Sequence, residues 1–258
     1  MKKIDLLMWT LNSEKTLPLT LKSIKNAIPK KYINKKYIID GGSNDKTVLI
    51  ALNYKWDVII SEKGIGKQAN TGLSLVETDI FASFEHDIIL NPNWFNLIIN
   101  TINKKNIAVS QGIRLPLNKT LNIIERYSLK RNLCYSSIDN NLYKTKIIRE
   151  LGGFSEKYIA STDRVLQDKI IKNGYEWLVN KNIISIHNIT SLKRYSKHIC
   201  NYLKKDIYKE NFGLKECLSR FLFSPLRGFD IAIKEKHPQV FFGYPYYRFY
   251  ILKGVLKK

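Results

Sequence analysis

The sequence has 258 residues, 44% of them apolar, which is enough to bury a sizeable core as one large domain or as one domain with an extension, and excludes a peptide scaffold or a disordered tail. Its formal charge of +21 points to phosphate-bearing partners, whether a nucleotide, an anionic lipid or a nucleic acid. Three widely spaced cysteines, Cys134, Cys200 and Cys217, match no paired metal-ligand pattern and read as reduced thiols, buried or idle, in a cytoplasmic protein.

Along the chain, short apolar runs alternate with helical periods from Ile4 to about Phe84, the signature of βαβ units and a mainly parallel sheet. Ile4 to Thr10 reads as a first strand rather than a signal peptide, because Asp5 interrupts the run. Leu17, Leu21, Ile24 and Ile28 then recur at helical spacing, with Pro18 near the start and Pro29 at the end. Tyr37 to Ile39, Val58 to Ser61 and Ile80 to Phe84 are further strands, with a helix through Ala69, Leu73 and Val76. Right-handed crossovers put the loops after these strands on one edge of the sheet, where open α/β sheets bind ligands. A helix from Trp94 to Asn103 and a strand from Ile107 to Ser110 follow, then an irregular stretch from Arg114 to about Asn140. Lys146 to Leu151 reads as a helix stopped by Gly152 and Gly153, Ser161 to Lys172 as another closed by Gly174, and Ile183 to His187 as a strand.

Two acidic turns share the ligand edge: IDGGSNDKT after the second strand and EHD, Glu85 to Asp87, after the fourth. Hard carboxylate oxygens one residue apart suit Mg²⁺ or Mn²⁺. An isolated acidic pair is usually an ordinary strand end, and His86 between the two acids is expected to point away from them.

Five segments in order give that pair its context. IDGGSNDKT resembles the VDDGSTDGT loop of family 2 glycosyltransferases and follows a strand ending WTLN. SEKGIGKQANTGL is similar to their glycine and basic-residue segment, FEHDIIL to the strand ending in their DxD motif, and GGFSEKY with STDRVLQDKIIKNG to their GGFDE segment and the helix after it. The resemblance spans residues 4 to 174. It implies a Rossmann-like, nucleotide-sugar-binding α/β domain of the GT-A type over residues 1–190, and the change to basic, aromatic character after about Thr190 marks a helical extension over residues 191–258.

By the same resemblance, Asp40 accepts a hydrogen bond from the nucleobase, while Thr10, Asn12 and Glu14 line the base and ribose pocket. Lys67, beside Gly66 at a helix start, faces the diphosphate, where a cation and a helix N-terminus both favour anions. Asp87 holds the metal, Glu85 lies near the ribose or metal, and His187 is a further metal ligand. Asp163 is the base that takes the acceptor proton, with Asp168 its nearest competitor. Three departures from the family stand out: Gly41 replaces a second acid, Glu85 replaces the first Asp of DxD, and Thr162 replaces a Glu. The implied reaction is inverting transfer from a nucleotide-diphosphate sugar to a glycan or lipid-linked acceptor. A single-stranded nucleic-acid-binding protein and a nucleotidyltransferase are the alternatives. The carboxylates repel a nucleic acid's phosphates unless a metal intervenes and no nucleic-acid motif is present, while a nucleotidyltransferase leaves the Asp163 segment unexplained.

From Lys193 to Lys258 the chain carries fifteen Lys or Arg against five Asp or Glu. Tyr195, Ile199, Tyr202 and Leu203 fall on one helical face, flanked by Lys193, Arg194, Lys197, Lys204 and Lys205. FFGYPYYRFY, residues 241 to 250, has seven aromatics. Two readings stay open: these rings pack on the main domain, or they meet the cytoplasmic face of a membrane. No run of about eighteen uncharged apolar residues marks a spanning helix.

Overall fold

A computed structural model describes residues 3–130, 136–158, 161–204 and 213–256; Cys134 and Lys205 lie outside them. The chain forms two compact units, Met1–Arg114 with Ser136–Asn188, and Leu115–Tyr135 with Ile189–Lys258.

In the first unit, β1 (Ile4–Thr10), α1 (Leu17–Ala27), β2 (Ile33–Asp40), α2 (Thr47–Asn53), β3 (Asp57–Ile60), α3 (Ile65–Leu75) and β4 (Ile80–Glu85) follow the expected alternation. The remaining strands are β5 (Ile88–Ile89), β6 (Ile107–Pro116), β7 (Asn141–Lys144) and β8 (Glu176–His187). The sheet order is β3-β2-β1-β4-β7-β6-β8-β5. Pairing is parallel from β3 to β4 and antiparallel at β4–β7, β6–β7 and β5–β8.

Strand β1 shows why both faces are covered. Its alternate residues Leu6 and Met8 join a core with Leu17, Leu21 and Ile24 of α1 and with Trp94, Phe95 and Ile98 of α4 (Trp94–Ile102). Leu7 and Trp9 join a second core with Ala69 and Leu73. Ile147 of α6 (Thr145–Glu150) and Leu166 and Ile170 of α7 (Thr162–Lys172) complete that core. A strand buried on both faces reads as the continuous apolar run seen here. The one interruption, Asp5, is buried but accepts hydrogen bonds from Asn34, Lys35, Glu77 and Thr78, so its charge is compensated.

The stretch expected to be irregular after Arg114 is largely regular over its described part up to residue 130. Strand β6 continues to Pro116, and α5 (Lys119–Lys130) follows, its Leu121 amide capped by the Asn118 side chain at 3.0 Å. Isolated propensity leaves this segment undecided, and its helix is held by burial of Ile123 and Ile124 against Ile231, Val240 and Tyr244.

The second unit is helical: α5, α8 (Leu192–Leu203), α9 (Leu214–Leu222), α10 (Ser224–Lys234) and α11 (Gln239–Val255). The FFGYPYYRFY segment lies inside α11, where Tyr244 and Arg248 are buried. Tyr195 of α8 stacks on Tyr247 with ring centres 6.2 Å apart. Cys200 and Cys217 are free and buried. Among the described residues, no helix is long and apolar enough to cross a membrane.

Candidate active site

The carboxyl ends of β1 and β2 are parallel neighbours, Thr10 opposite Asp40, so the loops that follow them must meet. Asp40 is fully buried, and its carboxylate accepts four hydrogen bonds. Two come from the backbone amides of Gly42 (3.0 Å) and Ser43 (2.6 Å), and two from the hydroxyls of Thr10 (2.7 Å) and Ser43 (2.6 Å). Asn12, in the left-handed region at φ 50°, accepts from the Asn44 amide at 2.9 Å, and its own amide donates to the Ser43 hydroxyl at 2.7 Å. Glu14 accepts from the Lys46 amide at 3.2 Å while its amide donates to Asp45 at 3.1 Å. Thr10, Asn12 and Asp40 are therefore joined through Ser43 in one hydrogen-bonded cluster, while Glu14 is tied to the next part of the same loop at Asp45 and Lys46. Asp40, expected to face a nucleobase, accepts these bonds from Thr10 at the end of β1 and from Gly42 and Ser43 of its own loop.

Lys67 stands in the first turn of α3, half-exposed, and pairs with Glu62, which raises its already high pKa. Gly66 is buried because the backbone of Ser155 passes over it: a Cβ there would lie 2.0 Å from the Ser155 carbonyl oxygen. Any side chain would force that segment away. Gln68, not singled out in the sequence, spans β1 and β2 by donating to the carbonyls of Thr10 (3.0 Å) and Ile39 (2.8 Å). Its carboxamide fills the space beside Gly41.

The second cluster arises where β4 ends. Strand β5 pairs with β8 antiparallel, Ile88 opposite His187, and the Asn188 amide donates to the Asp87 carbonyl at 2.8 Å. That register brings His187 Nε2 within 3.2 Å of Asp87 Oδ2. One ligand atom from each of Glu85, Asp87 and His187 lies within 4.8 Å of the others. His86 is turned the other way, its Nδ1 2.8 Å from the Thr16 hydroxyl. Burial favours the neutral form of Asp87, but the His187 hydrogen bond and the charges of His187, His86 and Arg114 outweigh it and hold the carboxyl well below its ordinary range.

These residues fit a divalent cation. Asp87 Oδ1 is buried with no hydrogen-bond partner, the one carboxylate oxygen so left among the described residues. A buried acceptor left unpaired is costly unless something else meets it. The carboxylate and imidazole donors are a set that Mn²⁺ accepts readily, and Mg²⁺ through the carboxylates. Glu85 is already half engaged, because Arg114 Nη1 sits 2.6 Å from its Oε2 and 2.7 Å from Asp139 Oδ2. Burial raises the Glu85 pKa, an effect that Arg114 opposes.

Arg114 and Asp139 lie in the stretch where sequence reasoning named no residue. Their only signal in the sequence is charge next to apolar strand residues. The β6–β7 pairing, with Gln111 opposite Asn141, is what brings both to Glu85.

Asp163 opens α7, its Oδ1 accepting from the Arg164 amide at 2.8 Å. It is half-buried, and loss of surrounding water pushes its carboxyl up to about 6, with Glu85 adding to the rise and Arg114 opposing it. Asp168 lies more than a turn further along the same helix. Trp94 is a core residue, fully buried edge-on to Phe84 with ring centres 5.3 Å apart.

The sheet thus carries hydrogen-bonded loops at its carboxyl edge, an acid and histidine cluster beside them and a raised carboxyl on a following helix, an arrangement that solved structures of the GT-A fold share at the level of the backbone. The model of Glycosyl transferase family 2 matches residues 5–171, and the chain belongs to that family. An uncharacterized glycosyltransferase of Rickettsia typhi is 25% identical over 229 residues, covering 78% of this chain and 72% of that protein. The mannosyltransferase PcManGT of Pyrobaculum calidifontis, solved with GDP-Man and Mn²⁺, superposes with a TM-score of 0.63 at 12% identity, over 95% of this chain and 73% of its own. Staphylococcus aureus TarS 1-349, solved with UDP, gives 0.59 at 15% identity over 98% and 90%. Glucosyl-3-phosphoglycerate synthase of Mycobacterium tuberculosis gives 0.57 at 15% over 79% and 78%. These superpositions establish the GT-A fold, and the family match makes the protein a glycosyltransferase, the first of the three readings that the sequence supports.

Proposed function

We propose that the chain moves a sugar from a nucleotide-diphosphate sugar to an acceptor hydroxyl with inversion, in a single displacement, at the cytoplasmic face of a membrane where the acceptor is a glycan or is lipid-linked. The observation that carries the reading is the pairing of Asp87, whose buried Oδ1 has no partner, with Asp163, whose carboxyl is held near 6. The relatives of this fold solved with GDP-Man and Mn²⁺, or with UDP, support the donor class.

Asp87, with His187 and the free oxygen of Glu85, would hold Mn²⁺ or Mg²⁺. Such an ion, when bound, supplies positive charge to a leaving diphosphate. Asp163 takes the proton from the acceptor hydroxyl. A carboxylate with a pKa near 6 is ionised at neutral pH yet more basic than a free aspartate, which suits that task. Thr10, Asn12 and Glu14 line the base and ribose pocket, and Asp40 fixes the loop that shapes it. Lys67, released from Glu62 by a competing anion, meets the diphosphate at the start of α3. Gly66 allows α3 to approach the Ser155 segment, which fixes where that helix begins. Arg114 orients Glu85 and tempers the charge around Asp163. The catalytic domain is assigned to residues 1–190 and the basic extension to residues 191–258.

Incubation with a panel of nucleotide sugars, with and without Mn²⁺ or Mg²⁺, tests the reading through thermal protection and nucleotide release. One nucleoside diphosphate should stabilise the protein, and only with metal present. Protection by oligonucleotides with no response to any nucleotide sugar would overturn it.

A further inference from the structure

Helices α9 and α10 each present an apolar face to solvent. Leu214, Leu218 and Leu222 recur at i, i+4 and i+8 on α9, and Leu226, Phe229 and Ile233 at i, i+3 and i+7 on α10. These six side chains are between 45% and 69% exposed, and Phe223 at the joint is 54% exposed. The opposite faces are buried through Cys217 on α9 and through Ser224, Gly228 and Ile231 on α10. The outward direction of the apolar residues is therefore fixed by packing behind them. The face continues onto α11: Phe229 meets Phe241 with ring centres 6.1 Å apart, and Phe241 meets Phe242, itself 74% exposed, at 4.8 Å.

In the other compact unit, exposed large apolar residues lie singly on several elements, such as Leu19 on α1, Leu97 on α4 and Ile171 on α7, with one short pair, Leu49 and Leu52, on α2. Scattered exposure of that kind is ordinary, whereas a continuous apolar face marks an interaction surface.

Charge selects the occupant. Among the described residues, the acids on and beside these helices are paired within the chain: Glu216 with Arg220, Asp230 with Lys234 and Glu235 with Lys130. Lys215, Arg227 and Lys236 add positive charge around the face, in a segment with fifteen basic and five acidic residues. A second copy would bring the same sign of charge, while a layer of anionic headgroups is complementary. Nine and eleven residues give helices of roughly 14 and 17 Å, against a hydrocarbon core of about 30 Å, so they lie in the interface and do not cross it.

We infer that α9, α10 and the adjoining Phe242 of α11 form a surface that seats in an anionic lipid layer, with Leu222, Leu226 and Phe229 at its centre. This rests on the membrane placement proposed above and assigns it to α9, α10 and the Phe242 end of α11, not to the rest of the aromatic run, whose Tyr244 and Arg248 face inward.

Flotation of the full chain with phosphatidylcholine vesicles, with and without phosphatidylglycerol, provides the test. Wild type should float with the anionic vesicles, and the triple variant L222S/L226S/F229S should lose about a hundredfold in partitioning. A control, L49S/L52S on α2, should float like wild type, with circular dichroism verifying that both variants fold. If the triple variant floats undiminished, the assigned face is wrong while the membrane placement stands. Failure of wild type to float would overturn both. Wild type that fails to float but self-associates on a sizing column, with the triple variant monomeric, would make the face a contact between copies. Transfer to a water-soluble acceptor, assayed separately, reports on the catalytic reading alone.

Discussion

At the ends of β1 and β2, Asp40 and Asp45 are satisfied by their own loops, whereas at the ends of β4, β5 and β8 the carboxylates are unevenly met. Asp40 accepts four hydrogen bonds, and Asp45 accepts from Glu14 and from both the amide and the hydroxyl of Thr47. Across the edge, Asp87 keeps a buried oxygen without a partner, and Glu85 and Asp163 are driven upward in pKa by burial. The first cluster is a rigid frame whose shape is its contribution. The second carries unspent polar capacity, and that is where bound charge and proton transfer have something to gain.

Removing the raised carboxyl should have the largest effect. Asp163→Asn is expected to lower turnover by about 10²- to 10⁴-fold while leaving metal-dependent protection by the donor intact. It should also separate function from stability. A carboxyl raised from 3.8 to about 6 binds more protons in the folded than in the unfolded state between those values, so folding stability falls as pH rises through that window. The variant lacks that loss. It should be more stable than wild type above pH 6, by about 1–2 kcal/mol after allowance for partial exposure, and gain nothing below pH 4. Thermal unfolding across pH reads both limits. Undiminished activity in the variant would rule Asp163 out as the base.

Asp87→Asn follows in size. It should abolish the metal dependence of nucleotide protection and lower activity by about a hundredfold or more, with some loss of stability at neutral pH, because a carboxyl whose pKa is depressed in the fold stabilises it when ionised. Metal-independent protection equal in wild type and variant would sink the metal assignment. Asp40→Asn should show the reverse pattern. An amide cannot serve all four donors around a buried site, so the cost falls on stability, about 1–3 kcal/mol, with donor affinity reduced as the loop loosens. Wild-type stability in this variant would mean the frame is held by other contacts.

The contrast was unevenly legible in the sequence. Strand alternation, the loop after β2 and the acids after β4 are local patterns, and the structure has them in the order the sequence implies. That Asp40 is met by Thr10 and by its own turn was not legible, since the sequence marks the acid but not which donors reach it. The partners Arg114 and Asp139 are invisible for a different reason. They meet Glu85 only through the β6–β7 register, and the helix between them, α5, is stabilised by contacts with residues beyond position 230, which no local window contains. His187 falls between these cases: a lone histidine closing a strand is visible, but its approach to Asp87 is set by the β5–β8 pairing.

The smallest expected effect tests whether the two carboxyls of the second cluster are linked. Arg114 lies against Glu85 and opposes the rise of Asp163, so its positive charge favours the ionised base. Arg114→Met removes that charge, and the Asp163 carboxyl should move further above 6. Activity requires the ionised form, so the acid limb of the kcat/KM profile should shift to higher pH, by about one unit or less given a partly solvated site. Arg114→Lys should restore most of the wild-type profile. Loss of activity with an unmoved limb in Arg114→Met would mean that the arginine serves only to hold Glu85, and that the base is tuned by burial alone.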